Sequence, residues 1–173
     1  MTTKTPDAEK LLLALADQLR AGIKPETGLV GIHTGGVWVA QRLHELLGLQ
    51  VPLGTIDIAF YRDDYAHRGL SAKVRPSDIP FDVAGRDIVL VDDVLYTGRT
   101  IRAALNEIFD YGRPGKVMLA ALVDRGDRQL PIAPQFVGAN LTVAKGERID
   151  LHRSDNGKLS LKVESINAGA EVK

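Results

Sequence analysis

Residues 88–100, IVLVDDVLYTGRT, limit the fold of this chain more than any other stretch. A β-branched apolar run (RDIVLV, 86–91) ends in two adjacent carboxylates, Asp92 and Asp93. A short polar turn follows, and residues 101–111 then show helical periodicity. A run that is apolar on both faces reads as an interior strand of a parallel sheet. In such sheets ligands bind beyond the carboxyl ends of the strands. The turn fits that place. Gly98 lets the backbone approach a ligand closely, Thr97 and Thr100 add hydroxyls, and the helix start adds N–H groups and partial positive charge. This is a phosphate cradle, but two carboxylates would repel a bare phosphate. They suit a ligand with hydroxyls beside its phosphate, or a hydrated Mg²⁺ held through its waters. Ordinary capping by one Asp and one Thr is the plainer alternative, and it leaves the second acid unexplained.

The remaining chain supports an α/β reading. Thr5-Pro6-Asp7 marks a helix start, Leu11, Leu12, Leu15 and Leu19 recur at helical spacing, and Gly22 marks the stop. Residues 28–33 (GLVGIH) read as a buried strand, 35–47 as a helix followed by Gly48, and 51–60 as a strand with period-two alternation. Residues 61–80 are polar and basic without apolar periodicity, and read as a flexible loop over a site. Residues 116–123 (KVMLAALV) form another buried strand. Beyond Asp124 the pattern shortens to strand-like pieces at 136–137, 148–152 and 158–163. Asp155-Asn156-Gly157 makes a hairpin turn between the last two, since Asn-Gly tolerates positive φ at both corners. The expectation is one domain over 1–173, a mainly parallel sheet flanked by helices, with a small antiparallel accessory piece within 124–173.

Composition removes several classes of function. Lys plus Arg and Asp plus Glu are each 22, so no global field draws the chain to nucleic acid or membrane. There is no cysteine, hence no disulfide, thiolate nucleophile or thiolate zinc site. The start MTTKTPDAEK lacks the apolar core of a secretory signal, and no apolar stretch is long enough for a bilayer, so a cytoplasmic protein is expected. The absence of G-x-G-x-x-G after a strand disfavours a nicotinamide dinucleotide binder.

The segment VDDVLYTGRT closely resembles the phosphoribosyl pyrophosphate motif of the type I phosphoribosyltransferases. Ile56-Asp57, Tyr61-Arg62-Asp63-Asp64, Asp78-Ile79-Pro80, Gly112-Arg113-Pro114, Val123-Asp124-Arg125-Gly126 and Leu130-Pro131-Ile132 accompany it in order. The whole is similar to the pyrimidine operon regulator/uracil phosphoribosyltransferase (PyrR) family. The resemblance implies a type I phosphoribosyltransferase fold with a flexible loop and a small hood. It implies transfer of phosphoribose to uracil, giving UMP and pyrophosphate. Asp92 and Asp93 would meet the ribose hydroxyls and the hydrated Mg²⁺, without direct metal ligation by protein. Tyr96, Thr97, Gly98, Arg99 and Thr100 would hold the 5′-phosphate, and Thr34, Gly35 and Gly36 the pyrophosphate. Arg62 would meet pyrophosphate charge from the loop, and Asp124 and Arg125 would belong to the hood that reads uracil. A homodimer or homotetramer is implied, with a leader mRNA as the macromolecular partner.

Two departures stand out. The family usually has Thr-Arg-Gly where this chain has Thr34-Gly35-Gly36, which implies retained catalysis with altered diphosphate affinity. Purine phosphoribosyltransferases often carry Gly-Gly there, so another base is one alternative substrate. RNA-binding members carry basic residues after the VDRG element; Arg128 remains, but Asp127, Ala133 and Ala139 stand where His, Arg and Lys are common. Lost phosphate contacts weaken RNA binding. The other alternative is a uridine-nucleotide-responsive mRNA-binding regulator with weak catalysis, which the lost charges disfavour. His33 reads as a structural histidine, Trp38 as a core or subunit contact, and Arg125 with Arg128 as interface or hood.

Overall fold

The computed structural model describes residues 4–58 and 77–166. The elements run α1 (Ala8–Gly22), β1 (Gly28–Ile32), α2 (Gly35–Leu47), β2 (Gly54–Ile56), β3 (Asp87–Leu95), α3 (Arg99–Tyr111), β4 (Lys116–Asp124), β5 (Phe136–Asn140), β6 (Glu147–Arg153) and β7 (Leu159–Ser165). Asp7 caps α1 with its carboxylate, which accepts from the Glu9 and Lys10 N–H groups.

The first five strands form one parallel sheet in the order β2-β1-β3-β4-β5. β6 and β7 form a separate antiparallel pair. Side-chain alternation along the central strands sorts the core into two layers. Leu29, Val89, Val91, Met118, Ala120 and Leu122 lie in one layer with Leu12, Leu15 and Leu19 of α1 and Val39 and Leu43 of α2. Val30, Ile32, Ile88, Leu90, Leu119 and Ala121 lie in the other with Ile101, Ala104 and Ile108 of α3. The β6–β7 pair adds Ile149, Leu151, Leu159 and Leu161 to the first layer. No helix of the described residues is long and apolar enough to cross a membrane.

Several boundaries differ from expectation, each because of pairing that sequence does not show. The strand expected over 51–60 is reduced to Gly54–Ile56 within the described residues. Its partner β1 ends at Ile32, where the chain turns into α2, and the other edge of Thr55 exchanges both backbone hydrogen bonds with Asp78 (2.7 and 2.8 Å). Of the expected loop over 61–80, residues 61–76 lie outside the described residues, including Arg62, Tyr61, His67, Arg68 and Lys73. β3 runs on through both acids to Leu95, because β4 pairs with it to the end, Leu95 opposite Asp124. Asp92 and Asp93 are therefore strand residues, not turn residues. The expected hairpin joins β6 and β7, with positive φ at Gly157 (84°) and not at Asn156. Ser154 N–H donates to Lys158 O (3.0 Å), closing a three-residue loop in which Gly157 supplies the left-handed position.

Candidate functional site

Strand order sets the place of the site. From β1 the chain passes through α2 to β2 on one side, and then returns to β3 on the other side of β1. The order 2-1-3-4-5 has its topological switch point between β1 and β3, where the loops leaving the two strands part and open a crevice. The loop after β1 is His33-Thr34 leading into Gly35 and Gly36; the loop after β3 is Tyr96-Thr97-Gly98. The two motifs singled out in the sequence, about sixty residues apart in the chain, thus flank one crevice.

Contact between these loops is close. A Cβ on Gly35 would fall 2.6 Å from Asp93 Cγ, and one on Gly36 would fall 2.6 Å from Val91 O. At Gly36 the neighbour is backbone, so only glycine lets the start of α2 lie against the end of β3; at Gly35 the neighbour is the Asp93 side chain, which would have to move. The His33-Thr34 peptide is cis. His33 N–H donates to Ile56 O (2.9 Å), which fixes the loop to β2.

Asp92 is buried at 6% exposure, and its Oδ1 accepts from the Asp93 N–H (3.0 Å). Asp93 is half-buried at the crevice. Thr97 is buried at 4% exposure, and its Oγ1 accepts from Arg99 N–H (3.2 Å) at the start of α3. Gly98 caps α3 with φ +93°, a left-handed conformation that β-carbons disfavour. Thr100 is half-buried on the first turn and Arg99 is exposed. The donor set is two adjacent carboxylates. Among the described residues no cluster of three or more metal-ligating side chains occurs. Two carboxylates fit a cation that keeps most of its water, as Mg²⁺ does.

Asp124 ends β4 opposite Leu95, and Arg125 follows it beside the turn after β3. Arg125 stacks its guanidinium on the Tyr96 ring, 3.8 Å from the centroid, and its N–H donates to Leu95 O (2.9 Å). Asp124 pairs bidentately with Arg128 (3.1 and 2.7 Å) and accepts from Gly126 N–H (3.0 Å). Burial pushes the Asp124 carboxyl up, but the Arg128 guanidinium and the Gly126 N–H together outweigh it and hold the group below its ordinary value. Arg128, which the sequence left as interface or hood, thus turns inward. Its guanidinium is shared by Asp124, Tyr96 O and Ile132 O. Asp124 and Ile132 lie four residues to either side of Arg128, but Tyr96 is 32 residues away, and no local pattern signals that contact.

Trp38 lies away from the crevice loops, half-buried against the first core layer, with Arg153 over its ring at 4.7 Å. It lines a groove of about 390 Å³ between α2 and the β6–β7 hairpin.

Comparisons with known proteins show the family and the fold. The family model for the phosphoribosyl transferase domain matches residues 3–147. Bifunctional protein PyrR of Pseudomonas paraeruginosa (strain DSM 24068 / PA7) is 52% identical over 151 residues, covering 84% of this chain and 88% of that protein. Among solved structures, purine phosphoribosyltransferase from Pyrococcus horikoshii Ot3 matches with a TM-score of 0.60 at 27% identity, over 78% of this chain and 82% of that one. HGPRT-ase from Leishmania tarentolae in complex with GMP matches with a TM-score of 0.63 at 15% identity, over 86% and 85%, a likeness of fold alone.

Proposed function

Because the chain belongs to the phosphoribosyl transferase family and, within it, to the bifunctional PyrR proteins, we propose that it transfers the phosphoribosyl group of phosphoribosyl pyrophosphate to uracil. The observation that carries this reading is the crevice at the β1/β3 switch point. There a glycine-lined loop lies against two strand-end carboxylates, and a Thr-Gly turn opens a helix.

The roles follow from the chemistry of each group. The loop N–H groups of residues 96–100, with the Thr97 and Thr100 hydroxyls, suit the dianionic 5′-phosphate. Asp92 and Asp93 suit the ribose hydroxyls, which donate to carboxylates. Thr34, Gly35 and Gly36 offer backbone N–H groups to pyrophosphate, and Arg62, outside the described residues, would add charge there. Mg²⁺ would be held through water by Asp92 and Asp93, and when bound it supplies charge neutralisation to the leaving diphosphate. Uracil would lie near Asp124 and Arg125, which would belong to the hood.

In the reaction, uracil N1 forms a bond to the anomeric carbon as the carbon–oxygen bond to pyrophosphate breaks. The leaving group takes that electron pair, N1 gives up its proton, and the sugar carbon inverts. The residues need no covalent intermediate. They position two reactants and stabilise separated charge. As for the regulatory half of the family's bifunctionality, we favour weak RNA binding, since Arg128 is engaged inward and Asp127 and Ala133 are exposed where basic residues would be needed. A homodimer or homotetramer completes the proposal.

The test is a base panel on one preparation. Purified protein with Mg²⁺ and phosphoribosyl pyrophosphate should release pyrophosphate with uracil, and chromatography should show UMP. Turnover with hypoxanthine, guanine or adenine in preference to uracil would reassign the base; no turnover with any would refute the reading.

A further inference from the structure

Three consecutive carbonyls at the start of the Tyr96-Thr97-Gly98 turn are held from one side. Leu95 O accepts from Arg125 N–H (2.9 Å), Tyr96 O from Arg128 Nη1 (2.7 Å), and Thr97 O from the Gln129 and Leu130 N–H groups (2.9 and 3.2 Å). Arg99 Nε adds a bond to Gln129 Oε1 (2.9 Å). All these donors to the carbonyls and the last acceptor belong to the strap of residues 124–132 that follows β4. In a trans peptide the carbonyl of one residue and the N–H of the next point in opposite directions. With carbonyls 95, 96 and 97 turned to the strap, the N–H groups of Tyr96, Thr97 and Gly98 are turned away from it. An extended strand alternates these directions and cannot converge three successive N–H groups on one anion. The strap therefore imposes the polarity of the turn.

Arg128 is the strap's central side chain. Besides Tyr96 O it donates to Ile132 O through Nε (2.8 Å) and to both Asp124 oxygens (3.1 and 2.7 Å). Four of its five N–H groups are engaged, and the side chain is 22% exposed. Gly98 closes the contact: a Cβ there would meet Ile132 Cβ at 3.4 Å and Arg128 Cδ at 3.5 Å. One rigid fork thus joins the end of β4, the turn after β3 and the far end of the strap. A lysine would keep the charge and lose the fork.

We propose that Arg128 is a positioning residue for phosphoribosyl pyrophosphate, setting the direction of the N–H groups that receive its 5′-phosphate while touching no substrate itself. This rests on the phosphoribosyltransferase reading.

The test compares wild type with Arg128→Lys. Phosphoribosyl pyrophosphate binding is titrated calorimetrically without uracil, and steady-state kinetics are measured for both substrates. In Arg128→Lys the Kd and KM for phosphoribosyl pyrophosphate should rise about tenfold or more, because a charge-assisted bond that orients the turn is lost. KM for uracil should stay within about twofold and kcat within about threefold, since chemistry on the bound sugar is untouched. Should Arg128→Lys fold poorly, Arg128→Gln and Arg128→Ala serve, the latter with added methylguanidinium, which should lower KM for phosphoribosyl pyrophosphate and leave KM for uracil alone. A folded variant with phosphoribosyl pyrophosphate affinity within twofold of wild type overturns the inference, as does loss of both affinities in proportion to unfolded protein. If wild type itself neither binds nor consumes phosphoribosyl pyrophosphate, the functional reading falls and this inference with it. An active wild type beside an unaffected variant sinks this inference alone.

Discussion

The Asp93 carboxylate occupies the space that a side chain on Gly35 would take, with Asp93 Cγ only 2.6 Å from where a Cβ would sit. Gly35 and one of the two acids at the end of β3 therefore share a single volume. Any side chain at 35, arginine included, would require a different Asp93 rotamer.

Gly35→Ala should lower kcat/KM for phosphoribosyl pyrophosphate by about ten- to a hundredfold through displacement of the Asp93 carboxylate. In an Asp93→Ala background the same change should cost less, with a coupling of about 0.5–3 kcal/mol, because the group it displaces is gone. Strictly additive kinetic effects across the four-enzyme cycle would refute the shared volume.

Gly36→Ala meets backbone instead of a side chain. Its Cβ would stand 2.6 Å from Val91 O, in the middle of the sheet end, with no rotamer to relieve it. The expected cost is about 1–3 kcal/mol of folding stability. A denaturation midpoint equal to wild type would contradict the observed approach of α2 to β3.

Burial raises the Asp124 carboxyl, but Arg128 and the Gly126 N–H outweigh it and hold the group below its ordinary value. A depressed carboxyl contributes stability that is fully present above the unfolded value and is lost as pH falls through the folded one. Asp124→Asn should therefore be destabilised at pH 7 by about 1–3 kcal/mol, and the gap to wild type should narrow as pH is lowered from about 5 toward 2. A gap that is constant over that range would assign the loss to packing instead.

Glu9 ties three elements together. Its carboxylate takes a two-pronged bond from Arg42 of α2 (3.0 and 2.6 Å), and Oε1 also accepts from Leu159 N–H of β7 (2.9 Å). The Arg42 bond chiefly lowers its pKa, against burial and with help from the Leu159 N–H. Glu9→Ala should cost about 1 kcal/mol, a discounted figure because the pair is partly exposed. Hydrogen exchange should rise first at Leu159 and its β6–β7 neighbours. Unchanged protection there would show that apolar packing alone holds the hairpin.

RNA binding is open to a filter assay with the leader transcript of the pyrimidine operon at moderate salt. With Arg128 turned inward and Asp127 and Ala133 exposed beside it, affinity should fall in the non-specific range, about 10⁻⁶–10⁻⁴ M. Tight binding enhanced by UMP would reverse this expectation.

Much of the site is legible in the chain's local chemistry. The acids at 92 and 93, the Thr-Gly turn and the helix after it are contiguous, and their chemistry depends on residue type and on the local strand-to-helix switch. The helix at Gly35–Leu47 is equally plain, since apolar residues on one face and a glycine stop are local signals. Less plain are the lengths of β2 and β3. An edge strand ends where its neighbour turns away, as β1 does after Ile32, and a central strand continues through carboxylates when a neighbour supplies its hydrogen bonds, as β4 does to Leu95.

By itself the sequence determined the kinds of element and the chemistry carried at the end of β3, because both arise from near neighbours in the chain. Only the tertiary structure decided that Gly35 would lie on Asp93, and that Arg128 would reach Tyr96, Asp124 and Ile132 rather than solvent. Those contacts depend on strand order and on the register Leu95 to Asp124, which place loops from distant segments at the carboxyl end of the sheet. Nothing in local propensity records which strand becomes whose neighbour.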